Sequence, residues 1–180
     1  MAGRKKSETI HLRVSPISKA FLEGLANVSG KTSTQIIEEL ITEAAEKTAL
    51  ADAHSCINIS AFPNSEMNIK NAVTAAQHPS EPILSKLRAH FIAWDTLSVR
   101  DKTITTTILT HPQFFAGKTK IFTKGEKIIQ SGFFEEIPDV DLKEVYKRME
   151  SLDSFSIFKE KNPSWKSTYE MFLSMTEGEG

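Results

Sequence analysis

Residues 7–16 read SETIHLRVSP (Ser7 to Pro16), and the reading of this stretch decides the fold of the first part of the chain. From Thr9 to Val14 apolar and polar residues alternate strictly, which is the period of a β-strand. Ile10, Leu12 and Val14 would face one side, and Thr9, His11 and Arg13 the other. Nothing in the residues that follow resembles a second strand. A lone strand has two unpaired edges, so the economical expectation is that Thr9–Val14 pairs antiparallel with its own copy in a symmetric dimer.

Helix signals come next. Ser15 is a favoured N-cap and Pro16 suits the first helical position. Ile17, Phe21, Leu25 and Val28 then recur at helical spacing, and Gly30 supplies a left-handed stop. Thr32 to Gln35 matches a capping box. The second helix carries two apolar columns, Ile36/Leu40/Ala44 and Ile37/Ile41/Ala45, which predicts two neighbours. The expected dimer core is Ile10, Leu12, Val14, Phe21, Leu25, Ile36, Ile37, Leu40 and Ile41.

Charge is distributed unevenly although the formal net charge is only −1. Residues 1–33 hold six Lys/Arg against two Glu, and residues 34–50 hold four Glu against one Lys. A basic head on an acidic helix points to a polyanion at the head. A two-stranded ribbon fits the major groove of B-DNA, where Thr9, His11 and Arg13 would read base edges. Arg4, Lys5 and Lys6 would follow the phosphates. The free amides at the second helix start, around Thr32, Ser33 and Thr34 beside Lys31, would hold a phosphate.

Thr9–Lys47 resembles the ribbon-helix-helix (Arc/MetJ-like) family of bacterial and phage DNA-binding proteins. The resemblance rests on T-I-H-L-R-V, the S-P helix start, the G-K-T/S turn and the I-I-x-x-L-I run, and covers about a quarter of the 180 residues. It implies an intertwined β-α-α dimer, strand readers at Thr9, His11 and Arg13, and a phosphate clamp at Lys31–Thr34.

The rest of the chain changes in composition. Of fifteen aromatics only Phe21 precedes residue 62, and residues 51–82 hold three of the seven prolines. The expected organisation is a DNA-binding and dimerisation domain over 1–50, a linker over 51–82, and a mainly α (α+β) domain over 83–176. Helices are expected over 83–97, over Arg100–Phe115 despite its β-branched run, from Asp139 or Asp141 to Ser151, and from Pro163 to Met175. The last would bury Trp165, Tyr169, Phe172 and Leu173. A β-hairpin is expected over Lys120–Ile129 around Lys124-Gly125.

Other chemistry is weaker. His54, Cys56, His78, His90 and His111 fall in no tight ligand motif, so no metal or other cofactor is expected. His90, beside Phe91, reads as a hydrogen-bonded border residue. Lys118, Lys120, Lys124 and Lys127 read as solvated guards of an edge. Gly117-Lys118-Thr119 lacks the upstream glycine of a phosphate loop, since position 112 is Pro112. No nucleophile–base arrangement is defensible, and no enzyme is expected. A single cysteine suggests a reducing, cytoplasmic setting, and no stretch approaches a membrane span.

These readings converge on a dimeric transcriptional repressor that binds double-stranded DNA, as a homodimer or higher homo-oligomer, with a protein or small-molecule effector at the C-terminal domain and no membrane partner. The alternatives are a plasmid or mobile-element accessory factor or an antitoxin-type autoregulator. From another class, the rival is an interaction scaffold that uses residues 1–50 only for dimerisation.

Overall fold

Local capping chemistry decides where the first helices begin and end. The computed structural model describes residues 9–51 and 53–177. Helix α1 (Pro16–Ser29) starts where the Ser15 side chain accepts from the Ser18 amide, and ends at Gly30 with φ +66°. Helix α2 (Ser33–Lys47) follows the expected capping box: the Thr32 amide donates to Gln35 Oε1 (2.8 Å) and the Gln35 amide to Thr32 Oγ1 (3.2 Å).

Thr9–Ser15 carry no regular secondary structure. The expected ribbon-helix-helix architecture is therefore overturned. The protein is mainly helical, and the described residues hold one short strand and no sheet. Alternation is necessary for a strand but a ladder makes it one, and among the described residues none pairs with residues 9–15.

Packing divides the chain into Met1–Ala44 and Ala45–Gly180. The second unit contains α3 (Ile69–Ala76), α4 (Pro82–Ile92), α5 (Val99–Thr110), α6 (Pro112–Phe115), strand β1 (Ala116–Thr119), α7 (Leu142–Lys147), α8 (Met149–Lys161) and α9 (Tyr169–Glu177). Short 3₁₀ turns occupy Ile59–Ala61, Pro63–Ser65 and Trp94–Thr96. Helix α5 packs against α4 and α8, and α4 against α3.

Residues 51–82 are not a linker. Cys56, Ile57, Phe62, Met67, Ala72 and Ala76 are buried in the same core as Leu87, Ile108, Leu152 and Tyr169. The compositional reading failed because this segment is held by pairing partners far along the chain rather than by local propensity. Ile57 bridges Ile129 in antiparallel fashion, with Asn58 N donating to Ile128 O (2.8 Å) and Gln130 N to Cys56 O (2.8 Å). That pairing also removes the expected hairpin over 120–129. The segment spends its backbone groups on residues 56–58, buries Ile121, Phe122 and Ile129, and forms turns instead.

The β-branched α5 is a helix because its threonines satisfy themselves. The hydroxyls of Thr103, Thr105, Thr107 and Thr110 donate to the carbonyls of Val99, Asp101, Thr103 and Thr106 at 2.8–3.0 Å. Thr105 and Thr107 can thus be buried without orphaned donors. The helix ends where Pro112 forces His111 out of the helical region.

A close approach then sets α7. Ala116 and Thr119 bridge Val140, and a Cβ on Gly117 would stand 2.4 Å from the Asp141 amide, so only glycine fits there. The Asp141 amide donates to Phe115 O (2.8 Å), and the Asp141 carboxylate caps α7 by accepting from Lys143 N (2.9 Å) and Glu144 N (3.2 Å). The expected helix to Ser151 is broken at Arg148, after which α8 runs from Met149 to Lys161. The last helix begins at Tyr169 rather than Pro163. Trp165 is consequently 45% exposed, whereas Tyr169 is fully buried and Phe172 nearly so.

Candidate functional site

Thr9, His11 and Arg13 are exposed, as the reading of DNA bases would require, but so are Ile10, Leu12 and Val14. In the single chain the alternation does not sort this segment into a wet and a dry face. Arg4, Lys5 and Lys6 lie outside the described residues. At the start of α2 the amides of Ser33 and Thr34 occupy the first helical positions, which have no intrahelical acceptor. The adjacent Lys31 is engaged: its Nζ lies 2.6 and 2.7 Å from the Glu39 carboxylate oxygens.

The residues expected to form a dimer core divide sharply. Ile36 is buried and Ile37 half-buried. Phe21 is 63% exposed, Leu25 52%, Leu40 52% and Ile41 56%. Together with Ile17 and Val28, also exposed, these side chains leave the unit with a large uncovered apolar surface.

The second unit carries two adjoining clefts that share Trp94 and Thr106. One, of about 440 Å³, is lined by Ala53, His54, His90, Phe91, Trp94, Asp95 and Thr106. His90 is the border residue the sequence suggested. Its Nδ1 lies 2.9 Å from Thr105 Oγ1, whose own proton goes to the Asp101 carbonyl, so Nδ1–H is the donor. Burial first, then the charge of nearby His54, lowers its pKa from 6.5 to about 4.

That shift has a measurable sign. Between pH 6.5 and 4 the unfolded chain binds a proton at His90 that the folded chain refuses, so stability falls as pH drops through this window and levels off below it. At ~1.4 kcal/mol per pH unit, reduced by solvent screening, the loss is on the order of 2 kcal/mol. His90→Gln keeps a donor for Thr105 and should flatten this part of the urea-midpoint profile. An unchanged profile would remove His90 as its source.

The other cleft, of about 410 Å³, lies along α5 and α8 and is lined by residues that include Trp94, Lys102, Thr106, Phe155, Lys159 and Ser167. No sequence motif marks it, because its walls come from four separate segments. Cys56 sits elsewhere, buried, with Sγ 3.2 Å from His54 Nδ1, and burial raises its thiol pKa. Among the described residues no three His, Cys, Asp or Glu side chains gather where they could hold a metal. Of the expected lysine cluster, Lys120 is paired with Asp139 at 3.1 Å, and Lys118, Lys124 and Lys127 are exposed on turns or on β1. No helix among the described residues is long and apolar enough to cross a membrane.

The strongest polar constellation in the second unit was also missed. Arg88, buried on α4, donates to Glu126 Oε1 (3.0 Å), Ile121 O (3.2 Å) and Ala75 O (2.9 Å), and lies 4.7 Å over the Phe122 ring. It stands four residues after Leu84 on the apolar stripe of α4, and a charge on a buried stripe was the available signal. Comparison with known proteins adds nothing to these geometries: no family model, curated protein or solved structure matches the chain.

Proposed function

We propose that this chain is a sequence-specific DNA-binding protein that acts as a homodimer, most simply a transcriptional repressor, with residues 1–50 holding both the DNA contacts and the dimer contacts. The observation that carries the reading is the uncovered apolar surface of Phe21, Leu25, Leu40 and Ile41 on two properly capped helices. A helix pair that caps both of its starts but buries little beyond Ala26 and Ile36 is built to be completed by a partner. A second copy is the occupant that needs no other gene product. The same stretch of chain holds the exposed Thr9, His11 and Arg13 and the open amides at Ser33 and Thr34, which would supply donors and positive charge for DNA.

One observation favours the rival scaffold reading. Glu39 neutralises Lys31, the single lysine beside the α2 start, and so weakens the phosphate clamp expected there. DNA binding then depends on Arg13 and on the basic N-terminus. A plasmid or mobile-element setting would use the same contacts.

The full-length chain should sediment as a dimer at micromolar concentration, and Leu40→Glu with Ile41→Glu should return it to a monomer. Selection from random duplexes should recover a repeated half-site. At matched salt Arg13→Ala should then lose about 1–3 kcal/mol of discrimination between selected and random DNA. Lys5→Ala should weaken both about equally and flatten the salt slope. A dimer that selects no sequence would leave the scaffold reading in place.

A further inference from the structure

We infer that the cleft between α5, α8 and the segment preceding α9 is a binding site for a small aromatic monocarboxylate. The inference concerns the second unit alone and does not depend on DNA binding.

Its walls are apolar where a ring would lie. Trp94 is its exposed aromatic wall, the threonine row of α5 lines it beside that ring, and the nearly buried Phe155 and fully buried Tyr169 close it from behind. Three of those threonines, Thr103, Thr107 and Thr110, commit their hydroxyl protons to carbonyls of their own helix, so they have no donor left for a ligand. Thr106 makes no such bond and keeps its donor. At about 410 Å³ the cleft lies in the range used by small-molecule sites.

The charged side chains of its lining have one sign. Lys102 and Lys159 are the charged residues of the lining, and no carboxylate lines the cleft among the described residues. Lys102 Nζ rests over the Trp94 ring at 5.2 Å, with the nearest carboxylate oxygen, from Asp95, at 4.0 Å. Lys159 Nζ donates to the Trp165 carbonyl at 2.8 Å, a neutral acceptor. Two ammoniums beside a slot of aromatic and methyl surface complement an anion with a flat apolar body.

A second observation points into the same place. Ser167 lines the cleft, is only 6% exposed, and its Oγ has no hydrogen-bond partner. Buried hydroxyls are almost always paired, so an unpaired one on a cleft wall marks a position that a ligand oxygen would satisfy. Apolar slot, paired lysines and orphan hydroxyl together select an aromatic acid over a neutral or cationic molecule of the same shape.

Calorimetric titration of the full chain with 1-naphthoate, 1-naphthamide and 1-naphthylmethylamine tests this directly. Naphthoate should bind at one site, the amide at least tenfold more weakly, and the amine not at all. Lys102→Met and Lys159→Met should each bring naphthoate affinity toward that of the amide while leaving the amide unchanged. Ser167→Ala should raise the Tm of the free protein, since it removes an unpaired buried group, yet reduce the Tm gain on adding naphthoate. Absence of heat with naphthoate at millimolar concentration, equal affinity for acid and amide, or affinities that ignore both lysines would each overturn the assignment.

Discussion

Replacing Arg88 with leucine is expected to lower the unfolding free energy by about 3–5 kcal/mol, the range for removing one partner of a buried ion pair. The guanidinium ties three stretches together: Ala75 at the end of α3, Ile121 in the turn region, and Glu126 beyond it. Leucine would fill most of the volume but leave the Ala75 and Ile121 carbonyls without this donor, and Glu126 without its counter-charge. Burial by itself would raise the Glu126 pKa, yet the Arg88 hydrogen bonds, the Thr123 amide and the Arg88 charge outweigh it and hold the pKa below 4.5. In the native protein that pair therefore contributes stability above the unfolded carboxyl pKa, and the contribution is lost as pH falls through the lowered folded value. In Arg88→Leu this acid-sensitive share should vanish together with the stability. Arg88→Leu combined with Glu126→Leu should recover part of the loss, because no charge is then stranded. Urea unfolding at pH 7 and pH 4 measures all three; a single-variant loss under about 1 kcal/mol would mean that the staple is solvated and weak.

What the sequence could tell depended on how local each cause was. Ser15, Gly30, the Thr32/Gln35 box and the Asp141 cap act within a few residues, and each stands where its pattern placed it. The fate of Thr9–Val14 was not legible, because alternation describes what a segment could do with a partner strand and the described residues supply none. The same limit explains residues 51–82 and 120–129. Each looked weak or hairpin-like alone, and each is fixed by the other through the Ile57–Ile129 bridge and its flanking hydrogen bonds. Trp165 shows the converse error. Helical spacing from Pro163 would have buried it, but the chain remains irregular until Tyr169.

Candidate sites followed the same rule. The period-two spacing singled out Thr9, His11 and Arg13, but Ile10, Leu12 and Val14 are exposed as well, so the spacing alone does not set those three apart. The cleft of Trp94, Lys102, Lys159 and Ser167 was not legible, because its members are brought together only when α5 packs on α8 and the chain returns before α9. Lys31 was readable as a basic residue beside a helix start, but its pairing with Glu39, eight residues on, was not.

Tyr169 is the residue on which the closing of that core turns, and Tyr169→Ala should cost about 4 kcal/mol, within the range for emptying a buried aromatic site. The ring has no exposure and meets Phe155 and Phe114 edge-on, at centroid distances of 5.5 and 5.7 Å, and Phe115 at 6.0 Å. It therefore joins α6, α8 and α9 in one contact set, which alanine would replace with a void. The hydroxyl contributes separately. Ser151 donates its own proton to the Arg148 carbonyl at 2.9 Å, so the Tyr169 O–H must be the donor in its bond to Ser151 Oγ. Tyr169→Phe keeps the ring and loses only this bond, for an expected cost of about 1 kcal/mol. Phe172 gives α9 further anchorage on Phe155 and Phe158, so Tyr169→Ala should loosen the C-terminal helix before the rest of the unit unfolds. Hydrogen exchange should accordingly show faster exchange across 169–177 in Tyr169→Ala, but not in Tyr169→Phe, while α4 and α5 stay protected in both. If the two variants lost stability equally, the hydroxyl rather than the ring would be holding α9 in place.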